Sequence, residues 1–219
     1  LKGRELVKME PEGSRMVAYT SEDLDIVVKT VKPGARTEDG TTVTFEEHIV
    51  PGVEIAKQRL GGLSADTVFV EDIVVNIGGK SVFVKEGLIQ RKMTVLKDKI
   101  MELAGKGDME GVRDIIRKWC ELQKKMWARR VLDQDIKLLD NYGYDEVSNE
   151  VVLIDFTNIY TDREKYFIEP YTSFISYYNI ANITGLNALA PGLGKIYQDE
   201  LFEAFRSEEH TSELQSRQS

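Results

Sequence analysis

Apolar and polar residues alternate through roughly the first 85 positions, then give way to a spacing of three and four. Glu5 to Glu10 predicts a short strand. Arg15 to Tyr19 and Asp25 to Val31 predict two more, parted by the polar turn Ser21-Glu22-Asp23. Lys32 to Thr42 is rich in turn residues, with Pro33-Gly34 and Asp39-Gly40. Pro51 to Leu60 predicts a short helix: Pro51 suits a first turn, and Val53, Ala56 and Leu60 share a side. Thr67 to Asn76 and Ser81 to Lys85 predict a hairpin across Ile77-Gly78-Gly79-Lys80. Beyond Gly87 the period lengthens. Met93 to Leu103 predicts a helix, and Asp108 predicts the N-cap of a long helix ending near Arg130. Val112, Ile115, Ile116, Trp119, Leu122, Met126 and Trp127 form its apolar face. Asp135 to Gly143 reads as a loop and Val151 to Ile154 as an apolar strand, with a hairpin over residues 145–149 between them. Tyr166 to Tyr197 reads as helical or irregular, broken at Pro170, Gly185 and Pro191-Gly192. A β-rich part followed by a helical part is an α+β layout.

Composition narrows the function classes. The chain has 219 residues, 42% hydrophobic and 30% charged, enough for one domain or two small lobes. Its net charge of -8 argues against general binding to nucleic acid or to an anionic membrane. A nucleotide held in a locally basic cleft stays compatible with that charge. Cys120 is the single cysteine, so there is no disulfide framework, which suits a reducing cytoplasm. No run of about eighteen apolar residues occurs, so no membrane span is expected. His48 is the only histidine before residue 206, which argues against a histidine zinc site or a Ser-His-Asp triad.

Two segments carry most of the candidate chemistry. The apolar strand Val151-Val152-Leu153-Ile154 ends on Asp155-Phe156. A buried strand closing on a lone carboxylate is a place to hold a hard divalent cation, which prefers oxygen ligands. One hairpin upstream, residues 133–141 bring Asp133, Asp135, Lys137 and Asn141 together: acids, a cation and an amide, the parts of a metal and phosphate site. Nearer the start, Gly13-Ser14-Arg15 lies between two strands, where glycine lets backbone N–H groups approach phosphate oxygens. Lys29 closes the run Ile26-Val27-Val28, with Lys32 as a rival three residues on. A plain structural role stands beside each. These are a turn at Gly13, a snorkelling lysine at 29, turn chemistry at Asn141-Tyr142-Gly143 and a strand-capping aspartate at 155.

In that order the segments resemble the protein-kinase-like phosphotransferases, and are similar in particular to small bacterial kinase-like proteins of the PhoP-regulatory-network type. Lys29 matches the lysine of Val-Ala-Ile-Lys. The loop matches His-Arg-Asp-Leu-Lys-x-x-Asn, without His-Arg and with Asn141 one residue further from Asp135. Asp155-Phe156-Thr157 matches Asp-Phe-Gly with Thr for Gly, and Val82 to Gly87 resembles the strand-to-hinge segment. The resemblance spans residues 13 to 158. It implies a two-lobed α+β fold, with an antiparallel nucleotide-binding lobe over 1–87 and a mainly helical catalytic lobe over 88–205. It implies ATP and Mg²⁺, with a phosphate acceptor that the residues do not name. Asp135 would be the catalytic base, with Asp133 its rival, and Lys137 the γ-phosphate contact. Asn141 and Asp155 would ligate the metal. Gly13, Ser14 and Arg15 would meet the phosphates. Lys29 would do so too, held by Glu54, with Glu46 and Glu47 as alternatives, and Glu86 would lie beside the adenine. The missing His-Arg and glycines keep two alternatives open: a pseudokinase or nucleotide- or partner-binding module without catalysis, and an unrelated α+β interaction domain.

Residues 206–216 resemble the in-frame translation of a common short-read sequencing adapter. That implies a non-native tail over 206–219 and a helical lobe cut short after Phe205.

Overall fold

The structure is a computed structural model that describes residues 5–9, 15–21, 23–37, 40–133, 136–161 and 171–216, with side chains except at 171–178 and 206–216. Two compact units divide the chain. One comprises residues 1–92 with 156–159, the other residues 93–155 with 160–219.

In the first unit, β1 (Glu5–Lys8), β2 (Met16–Ser21), β3 (Leu24–Val31), β4 (Thr67–Ile77) and β5 (Lys80–Arg91) close into a barrel in the order β1-β2-β3-β5-β4. Neighbours are antiparallel except β1 and β4, which run parallel. Leu6, Val28, Val75 and Val84 fill the interior, with Tyr19, Ile73, Ile77 and Ile89 packed against them. The expected hairpin is present. Gly78 and Gly79 turn it with φ of 58° and 75°, a pair of positive angles that glycine adopts without strain. β5 runs on to Arg91, through the boundary expected after Gly87. Gly87 stays in the strand because a Cβ there would lie 3.3 Å from the Lys29 carbonyl oxygen, so the residue permits close strand packing rather than ending the strand.

The helix of this unit starts earlier than Pro51. Thr44 caps it, its hydroxyl accepting from the Glu47 N–H at 3.3 Å. A wide π-turn over Phe45–Ile49 leads into α1 (Val50–Ile55), and a second over Ala56–Leu60 follows. Pro51 has no N–H for a helical bond and its ring crowds the preceding turn, a reason for irregular winding there. Phe45, Ile49, Gly52, Val53, Ala56 and Leu60 are buried, and the Phe45 ring lies 5.7 Å from Phe69 of β4.

In the second unit, β6 (Thr94–Val95), β8 (Tyr142–Asp145) and β9 (Glu150–Leu153) form a small antiparallel sheet in the order β6-β8-β9, and β7 (Leu132–Asp133) opens the loop. The helices are α2 (Leu96–Gly105), α3 (Met109–Ala128), α4 (Tyr171–Leu189) and α5 (Leu193–Ser216). Asp108 caps α3 as expected, accepting from the Gly111 N–H at 2.9 Å. The face read from its spacing is buried, with Trp127 only half so. α4 passes through Gly185 unbroken, and Pro191-Gly192 makes the turn into α5. Glu200 of α5, 8% exposed, accepts from Arg113 at 3.0 Å and Arg117 at 2.8 Å of α3, tying the two helices together. Among the described residues no helix is long and apolar enough to cross a membrane.

Candidate functional site

The loop from β7 to β8 is built around a buried carboxylate. Asp133 is 1% exposed at the end of β7. Its Oδ2 accepts the Tyr142 hydroxyl at 2.6 Å and, at the longer distance of 3.5 Å, the Asn141 side-chain amide. Tyr142 is fully buried. Burial first, and then the neighbouring Asp133 carboxylate, push its phenol well above the ordinary tyrosine value, so it stays protonated and keeps donating. The loop between folds back on itself: the Lys137 carbonyl accepts from the N–H groups of Asp140 and Asn141 at 3.2 and 3.0 Å. The Leu139 carbonyl accepts from Lys97 N–H at 3.2 Å.

β8 and β9 then bring Asn141 beside Asp155. Tyr142 pairs with Leu153 across the ladder, so the residue before one strand meets the residues after the other. The Asn141 carbonyl accepts from both the Ile154 N–H at 2.9 Å and the Asp155 N–H at 3.2 Å. Asn141 is 6% exposed and Asp155 half-buried. Among the described residues no three His, Cys, Asp or Glu side chains gather as a metal cage. Residues of the amide and carboxylate types whose backbones meet in this way suit Mg²⁺ by chemistry, since that ion uses one or two protein oxygens and takes its other ligands from phosphate and water. Those two residues would hold it.

The remaining sequence expectations divide. Gly13, Ser14 and Asp135 lie outside the described residues. Lys137 is exposed, as a phosphate contact requires. Lys29 is half-buried in the middle of the barrel, paired with Ala18 of β2 and Leu88 of β5. Arg15 donates to the Asn158 side-chain oxygen at 2.9 Å, so its guanidinium is engaged two residues past Phe156. The expected Lys29–Glu54 ion pair is absent among the described residues. Glu54 is exposed because Ile49, Gly52, Val53, Ala56 and Leu60 take the inner face of that helix, and position 54 falls outside their stripe. Glu86 sits in mid-β5 directly opposite Glu71, not at a strand-to-hinge junction, since the strand continues five residues past it.

Phe156 behaves as a packing anchor. It is 3% exposed, and a Cβ added to Gly52 of α1 would lie 1.9 Å from its carbonyl oxygen. Glycine at 52 is therefore the condition for helix and backbone to meet so closely. Tyr142 and Asn158 were not singled out from the sequence. The signal for Tyr142 was available in the alternation of Asn-Tyr-Gly-Tyr, which makes it an inward strand residue with a polar tip.

No family model matches the chain, and no curated protein matches it either. Solved structures do. A Stt7 homolog from Micromonas algae, whose crystal was soaked with ATP, aligns with a TM-score of 0.51 at 13% identity, over 74% of this chain and 49% of its own. WbdD aligns with a TM-score of 0.49 at 14% identity, over 88% of this chain and 45% of its own. This chain thus spans less than half the length of either. At this level the fold is kinase-like, a mixed α+β arrangement of sheet and helices.

Proposed function

We propose that this chain is a protein-kinase-like phosphotransferase that moves the γ-phosphoryl group of ATP to an acceptor hydroxyl with the help of Mg²⁺. The observation that carries the reading is the juncture of Asn141 and Asp155, two oxygen-bearing residues joined backbone to backbone at 3.2 Å. The fold likeness to a protein soaked with ATP supports it further. In this reading Asn141 and Asp155 would hold Mg²⁺, which would supply positive charge to offset that building on the phosphate oxygens. The Asn141 amide nitrogen donates to Asp133 at 3.5 Å, which helps to orient that side chain. Asp135 orients the acceptor hydroxyl and takes its proton, while Lys137 meets the γ-phosphate. Lys29 is the candidate contact for the α- and β-phosphates, with Gly13, Ser14 and Arg15 as further candidate phosphate contacts. Asp133, 1% exposed and bonded to the Tyr142 hydroxyl, suits a holding role rather than that of the base. Glu54 and Glu86 take no part in this reading.

Calorimetric titration of the 219-residue chain with ATP tests nucleotide recognition. Binding is expected with Mg²⁺ present and to weaken about tenfold or more when EDTA removes it, since the cation would supply the charge that offsets the phosphates. Equal binding with and without the cation, or no binding, contradicts the assignment of Asn141 and Asp155.

A further inference from the structure

One polar side chain outside the motifs holds the loop from behind. Asn182 lies on α4 and is 4% exposed, in a stretch whose neighbours Ala181, Ile183 and Leu186 are apolar. A buried amide is unfavourable unless its hydrogen bonds are met. Here they are met by the loop itself. The Asn182 Oδ1 accepts from the Leu138 N–H at 3.0 Å, and its Nδ2 donates to the Ile136 carbonyl at 3.0 Å. Those two groups flank Lys137 and follow directly on Asp135.

The amide is itself held in place. Its Nδ2 also donates to the Tyr197 hydroxyl of α5 at 3.1 Å. Tyr197 is 2% exposed, and burial pushes its phenol up, so it stays neutral. Its ring stands 5.7 Å from Trp119 of α3, which also meets the Tyr142 ring edge-on at 5.9 Å. Tyr142, Trp119 and Tyr197 thus form a row of rings. One terminal hydroxyl fixes Asp133 at the start of the loop, and the other fixes Asn182 against its middle. A side chain that accepts and donates at once in one plane is a primary amide; a carboxylate supplies no donor and a hydroxyl no second one.

We propose that Asn182 is a positioning residue for phosphoryl transfer. It clamps the peptide groups of Ile136 and Leu138 and thereby sets Lys137 between them, without touching nucleotide. This rests on the phosphotransferase reading above. Exchange of the Leu138 amide is its independent half.

The test compares the 219-residue chain with Asn182→Ala and Tyr197→Phe in three measurements: Mg·ATP turnover, the KM for ATP, and hydrogen exchange at the Leu138 amide. Asn182→Ala should lower kcat by about tenfold or more with KM unchanged, because small misplacements of reacting groups cost rate. It should also turn the slow exchange of Leu138 fast. Tyr197→Phe keeps the ring and removes one hydrogen bond, and should lower kcat roughly threefold. Unchanged kcat in Asn182→Ala, or a raised KM at unchanged kcat, overturns the proposal. If Asn182→Ala does not fold, unchanged kcat in Tyr197→Phe overturns it. If the wild type turns over no Mg·ATP, the phosphotransferase reading has failed and the catalytic role with it. Protection of Leu138 lost in Asn182→Ala would then still establish the clamp, and fast exchange in the wild type would remove that too.

Discussion

Asp133 is 1% exposed, and its carboxylate accepts the Tyr142 hydroxyl at 2.6 Å. An enclosed carboxylate that accepts from a buried phenol is better placed to hold the loop than to meet a hydroxyl from solvent. Nothing in the letters Asp-Gln-Asp distinguishes a holding carboxylate from a reacting one, because the difference lies in Tyr142, nine residues on. Asn182 was equally hidden: one amide among many polar residues of a helix, meaningful only once the chain folds back over 44 residues to Leu138. Cys120 shows the opposite case, a reactive residue type made inert by its surroundings. Burial pushes its thiol up to about 12, against a smaller downward pull from Lys124. A raised thiol pKa means the neutral form prevails at every pH below it, so thiolate is scarce at about pH 8. An aromatic disulfide reagent should therefore leave the native chain unlabelled at that pH and label one thiol after unfolding. Rapid labelling of the native chain would show that Cys120 is not buried as described.

Among the elements, those with strong local periodicity were legible. The α3 face and its Asp108 cap follow from spacing, and the Gly78-Gly79 hairpin from turn chemistry. Elements whose limits depend on neighbours were not. β5 continues past Gly87 because β3 approaches there, and Gly143 belongs to a strand rather than a turn because Met93 stands 2.6 Å from where its Cβ would be. The helix around α1 starts at Thr44 although Pro51 marks a good first turn, since the cap and the buried Phe45 outweigh the proline signal. The same helix gives a direct test of packing. Gly52→Ala would drive a methyl into the Phe156 carbonyl and should cost about 1–3 kcal/mol, the range for overpacking a tight contact. Gly62→Ala, with open space around it, is the control. Urea unfolding reads both; equal stability of the two variants would show that α1 and Phe156 do not meet so closely.

For the molecule as a whole, the order β-rich then helical was legible in the hydrophobic pattern, and the fold likeness agrees with that mixed α+β class. The division of labour was not legible, because the chain crosses between units: residues 156–159 return to the first unit directly after Asp155, two residues past the end of β9. Phe156 and Asp155 are adjacent in sequence and belong to different bodies, so one motif serves both packing and the metal site proposed here. The measurement that bears most directly on the phosphotransferase reading is release or transfer of labelled γ-phosphate by the wild-type chain and by Asp155→Ala, with and without Mg²⁺. The wild type should turn over ATP only with the cation, and Asp155→Ala should lose about 100-fold or more of that rate, the scale of losing a group that stabilises transition-state charge. ATP bound but never turned over by the wild type, or an Asp155→Ala rate equal to it, would contradict the account.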